Sequence, residues 1–115
     1  MTFQRGDTVQ VNFDPVVGHE IGKTRPAVIV QNDVGNRISP TTIVAAITDH
    51  SAKKAAYPFC VEIPRGAGGM RKRSLINCAH LRTIDRSRVV KGLGALPEGL
   101  VRDMEVALKI SLALQ

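Results

Sequence analysis

Thr8-Val9-Gln10-Val11-Asn12-Phe13 alternates polar and apolar residues over six positions, which predicts a half-buried strand with Val9, Val11 and Phe13 facing the core. Asp14-Pro15 ends it, and the polar segment 16–24, with Gly18, His19, Glu20 and Gly22, reads as an exposed loop. Two apolar runs of strand length follow at 27–31 and 42–48, rich in β-branched residues. The second is apolar on both faces and reads as a central strand. Between them, Asn32, Asp33, Gly35, Asn36, Ser39 and Pro40 mark the loop of a hairpin.

An antiparallel pair centred on Gly35 and Asn36 sets Ala27 opposite Ala46, Ile29 opposite Val44, and Arg25 opposite Thr48. Pro26 pushes the residue before it into extended geometry, and proline is tolerated at the start of a strand. Arg25 is therefore expected at a strand entrance, sharing one spot with the Thr48 hydroxyl, as a phosphate site requires.

Further along, 51–57 reads as a connector, and Phe59 to Ile63 alternates again. Gly66, Gly68 and Gly69 before Arg71-Lys72-Arg73 read as a flexible basic turn, because no Lys-Ser/Thr stands where a phosphate-binding loop needs it. Segments 74–77 and 79–83 read as one bent strand, and 85–89 as a helical turn. Pro97-Glu98 opens a C-terminal helix, along which Leu100, Val101, Met104, Ala107, Leu108 and Leu112 recur at helical spacing. The expected fold is mainly β (α+β): one domain, 1–115, built as a small, strongly bent antiparallel β-barrel with a C-terminal helix.

Charge adds a partner. The chain carries sixteen basic and ten acidic residues, and from Arg65 to Lys91 eight basic residues stand against one acidic, Asp85. Segregation of this kind is the footprint of a polyanion. No apolar run approaches a membrane span and the N-terminal residues lack the apolar segment of a secretory signal, so a cytoplasmic location is expected. Cys60 and Cys78, with seventeen residues between them, are then expected to be reduced. His19, His50 and His80 show no ligand spacing, and neither a metal nor a cofactor is expected.

The ordered series Arg5-Gly6-Asp7, Asp14-Pro15, Gly18-His19-Glu20, Arg25-Pro26-Ala27-Val28-Ile29-Val30, Ile47-Thr48 and Arg82-Thr83-Ile84-Asp85 resembles the MazF/PemK (Kid-like) toxins of type II toxin–antitoxin modules, over nearly the whole chain. The resemblance implies an SH3-like barrel, a homodimer, and a metal-independent endoribonuclease that cuts single-stranded RNA at short motifs and is silenced by a cognate antitoxin. It places Arg25 and Thr48 on the catalytic arginine and threonine, and Glu20 and His19 on loop residues implicated in some members. This chain departs from the pattern at Asn77 and Ala79, where PemK-type members carry an arginine and an aspartate. It departs again at His80, Ile21 and Asp49.

RNA brings its own nucleophile, the 2′-hydroxyl, so cleavage needs charge stabilisation and the movement of two protons. Arg25, planar and always charged, suits the first task, and Thr48 is placed to bond a non-bridging oxygen. Glu20 and His19 are the loop candidates for the base; His80 fits binding better. Lys23, Arg71, Lys72, Arg73, Ser74 and Arg82 are the remaining RNA-binding candidates. Two rival readings are a gyrase-poisoning toxin of the same barrel, like CcdB, and a noncatalytic RNA-binding barrel.

Overall fold

A computed structural model describes residues 2–115. Six antiparallel strands form one sheet: β1 (Asp7–Asn12), β2 (Thr24–Ile29), β3 (Thr41–Asp49), β4 (Cys60–Ile63), β5 (Ser74–Asp85) and β6 (Val89–Ala95), in the order β4-β5-β3-β2-β1-β6. The mainly β architecture with a C-terminal helix is as expected. The outer strands β4 and β6 do not pair, so the sheet is bent without being closed into a hydrogen-bonded barrel. The helices are α1 (Asp33–Ile38), α2 (Ala52–Ala55) and α3 (Glu98–Ser111).

Both faces of the central strands are buried. Ala27, Ile29 and Val44 pack with Phe3, Val9, Val11, Phe13 and Ile84 on one side. Val28, Ala45 and Ile47 pack with Ile63, Ile76, Met104 and Ala107 on the other. The α3 stripe supplies Met104 and Ala107 to that second core. Leu100, Val101 and Leu108 pack at its edge, while Leu112 lies exposed.

Three segments differ from the sequence reading. The 32–41 loop contains α1, started by the Asn32 side chain, which accepts from Gly35 N–H, and seated by buried Asn36, whose Oδ1 accepts from Thr42 Oγ1 at 2.7 Å. The connector 51–57 contains α2, capped by Ser51. The glycine turn is packed rather than free: Gly68 is buried and its carbonyl accepts from Thr8 Oγ1 at 2.6 Å. A Cβ placed on Gly69 would lie 2.3 Å from the Leu93 carbonyl of β6, so only glycine allows the turn to come so close.

The hairpin register is as derived for Ala27 opposite Ala46 and Ile29 opposite Val44, but the ladder ends there and the derived pairing of Arg25 with Thr48 is not formed. Segment 74–85 is one bent strand, and 86–88 is the expected helical turn. Along β3 a single step from Ala45 to Ala46 moves the pairing on β5 from Leu81 to Asn77. Residues 78–80 therefore bulge out, with Ala79 N–H donating to Asn77 Oδ1 at 3.0 Å and Ser111 Oγ donating to the Cys78 carbonyl at 2.7 Å. Such bulges re-aim side chains.

Candidate active site

Proline opens the site. In β2 the backbone groups of odd residues point to β1: Gly6 N–H donates to Ile29 O and Phe13 N–H to Lys23 O. Those of even residues point to β3, as Val30 N–H donating to Ile43 O shows. Pro26 therefore turns its missing N–H toward β3, and the β2–β3 ladder stops at Ala27 and Ala46. Beyond that point Arg25 pairs only with Val11 of β1, and Thr48 only with Leu75 of β5. The strands splay, and a cleft of about 750 Å³ opens between them, lined by both Arg25 and Thr48.

Arg25 is held by its own loop. Its Nε donates to the Gly22 carbonyl at 2.9 Å, which leaves the two terminal nitrogens for a bidentate anion. The loop is fixed in turn by Asp14, whose Oδ1 accepts from Lys23 N–H at 2.8 Å, with Lys23 in the left-handed region at φ 65°. A Cβ on Gly22 would meet that same Oδ1 at 2.8 Å, so a larger residue there would displace the Asp14 carboxylate from this bond.

Thr48 carries the exceptional group. Its Oγ1 is buried and has no hydrogen-bond partner, the one side-chain oxygen or nitrogen among the described residues in that state. Next to it Asp49 accepts from Lys72 Nζ at 2.9 Å. That hydrogen bond and the Lys72 charge, with a smaller contribution from Arg25, hold the Asp49 carboxyl below the usual carboxylate range. Arg71, Lys72, Ser74 and, from β6, Lys91 also line the cleft: four cations face one carboxylate.

The other candidates are distributed differently. Glu20 lines a second pocket of about 210 Å³ with His80, Ala79, Arg82 and Phe13, behind the β5 bulge. Its Oε1 accepts from Val17 N–H, and Arg82 is taken up by the Phe13 carbonyl. Arg73 turns away to Glu62 at 2.8 Å, which His50 also contacts at 2.7 Å. His19 and Lys23 are exposed on the loop and line neither cavity. The basic segment thus divides, because Arg82, Arg86 and Arg88 bond backbone carbonyls as structural staples. Gln10 and Lys91 line the cleft without having been singled out by sequence. Their only sequence signals were a polar position in an alternating strand and the end of the basic segment.

Residues 4–112 match the family described as "PemK-like, MazF-like toxin of type II toxin-antitoxin system". The chain belongs to this family. Among its relatives, Endoribonuclease EndoA of Bacillus subtilis is 43% identical over 114 residues, covering 99% of this chain and 97% of that one. Among solved structures, MazF from Deinococcus radiodurans superposes with a TM-score of 0.83 at 26% identity, covering 99% of both chains. A MazE–MazF complex from the same organism gives 0.77 at 26% identity, covering 100% of this chain and 99% of that one. The fold of a MazF-like toxin is therefore the one the splayed β2–β3 pair sits in. Among the described residues of this MazF-like chain, no helix is long and apolar enough to cross a membrane.

Proposed function

We propose that this MazF-like chain is the toxin of a toxin–antitoxin module and that it cleaves single-stranded RNA, messenger RNA in particular, to stop translation and growth. The Thr48 hydroxyl carries the reading. A buried polar atom without a partner costs about 1–3 kcal/mol, and a fold retains such an atom where its partner arrives with the substrate. A turn about χ1 to another staggered rotamer brings the hydroxyl to a phosphate oxygen in the cleft.

The scissile phosphate sits against the terminal nitrogens of Arg25. The 2′-oxygen attacks phosphorus, the bond to the 5′-oxygen breaks, and the products are a 2′,3′-cyclic phosphate and a 5′-hydroxyl. Arg25 holds the negative charge that builds on the phosphorane, and Thr48 donates to a non-bridging oxygen. One proton leaves the 2′-hydroxyl and one reaches the departing 5′-oxygen. None of these steps requires a metal ion. The cationic lining draws the backbone into place, with an affinity that falls as salt rises.

The MazE–MazF complex of D. radiodurans supports a cognate antitoxin as the regulating partner here, one that covers the cleft. A homodimer acting in the cytoplasm completes the proposal. The test is purified protein in EDTA, given single-stranded RNA and a matched strand with deoxyribose at every position. Cutting of the RNA alone, abolished in Arg25→Ala and reduced at least tenfold in Arg25→Lys, is the expected result. Intact RNA overturns the nuclease and leaves a binding protein.

A further inference from the structure

We infer that Lys91 and Gln10 hold a second backbone phosphate of the RNA, neighbouring the one at Arg25 and Thr48; the inference rests on the nuclease reading above. Three adjacent strands build this subsite. Gln10 of β1 pairs with Pro26 of β2 on one side and with Lys91 of β6 on the other. Directly paired residues share a sheet face, so the three side chains form one row, and all three line the cleft.

The row sets the spacing. Neighbouring strands lie about 4.8 Å apart, so two steps carry the cleft roughly 10 Å from Pro26, beside Arg25, to Lys91. Arg25, paired with Val11, alternates to the other face of β2 from Pro26, so its charge and that of Lys91 enter the cleft from different strands and different faces, an arrangement suited to two successive phosphates. Pro26, at one end of the row, and Leu93, two residues along β6 from Lys91, add apolar surface to the cleft, suited to a nucleoside. The volume of about 750 Å³ also exceeds what a single nucleotide fills.

The charge at that end is uncommitted. Among the described residues, the side chain of Lys91 has no hydrogen bond or ion pair, while Lys72 is tied to Asp49 and Arg25 Nε to Gly22. Lysine serves phosphate as a point charge, and the Gln10 amide adds a neutral donor beside it. Lys91 is exposed, so its truncation leaves both cores untouched.

The experiment is equilibrium binding to a short single-stranded RNA with deoxyribose at the cut position, over a salt series. Each flanking phosphate is also replaced singly by a neutral methylphosphonate. Lys91→Ala is expected to lower the log–log salt slope by about 0.7, and Lys91→Arg to restore it. One methylphosphonate next to the cut should weaken the wild type and have no further effect in Lys91→Ala, as a coupled pair requires. An unchanged slope in Lys91→Ala, or losses that add in full at every position, overturns the subsite. Cleavage in parallel separates the two ideas: RNA cut by the wild type beside an unchanged Lys91→Ala slope removes only the subsite, and RNA left intact by the wild type removes the nuclease reading itself.

Discussion

Asp49 and Lys72 are joined at 2.9 Å within the cleft that Arg25 and Thr48 line. The carboxylate thus occupies a cation that an RNA phosphate would otherwise take, and its charge also acts on Arg25. Asp49→Asn should tighten binding of uncleavable RNA by up to roughly fivefold, the scale of an exposed ion pair. A titration in moderate salt measures it. Weaker binding would show that the carboxylate helps to arrange Lys72 rather than to compete for it.

Thr48→Val removes a buried hydroxyl that nothing satisfies while keeping the side-chain shape. The variant should be more stable, by about 1 kcal/mol, and slower in cleavage by up to about 10²–10³, the scale of losing one donor to the developing charge. Denaturant melts and single-turnover cleavage give the two numbers. A variant both less stable and fully active would place the hydroxyl outside the chemistry.

Glu20 and His80 share a pocket apart from Arg25 and Thr48. Glu20→Gln and His80→Ala should therefore shift which RNA sequences are cut, with less than a tenfold change in the rate on the preferred one. Sequencing of cleavage ends from a mixed RNA pool reads the shift. Loss of the chemical step in Glu20→Gln, with sequence preference intact, would return Glu20 to the proton-transfer role that its loop position suggests.

Burial pushes the Cys78 thiol up to about 12, with a smaller contribution from Cys60, itself raised chiefly by burial. In the unfolded chain the thiol titrates near its ordinary 9.0. The folded state therefore binds the proton more tightly, so the stabilisation is complete below pH 9 and is lost as pH rises toward 12. Melts from pH 8 to 10.5 should show stability declining above 9, and Cys78→Ala should flatten that part of the decline. At pH 8 an alkylating reagent should modify half-buried Cys60 well before Cys78.

The parts of the site legible in sequence were those set by neighbours in the chain. Pro26 fixed the extended entry of Arg25, and the two apolar runs fixed the register up to Ala27 and Ala46, beyond which Arg25 and Thr48 line one cleft without pairing. What escaped depends on strands distant in sequence. β6, with glycine at 92 and 94 and mostly exposed residues, has too few buried positions to show alternation, so Lys91 and Gln10 could not be placed side by side. α1 was read as a turn because Asn32, Asp33, Gly35 and Asn36 are turn formers. Its helix is held by the cap and by the bonds of buried Asn36 to Gln31 and Thr42. Glu20 and His19 were read as loop candidates for the base, but Glu20 lines a pocket with His80 and Ala79 of the β5 bulge, and His19 lines neither cavity.

The near-contact of Gly69 with the Leu93 carbonyl clasps the segment leading to Arg71 and Lys72 against the strand that bears Lys91. The two basic banks are thereby riveted at a fixed gauge, and on the proposed reading an RNA backbone would meet a track whose width was settled at folding. A methyl group at position 69 would pry the banks apart and loosen the grip on RNA, although every charge of the cleft had been kept.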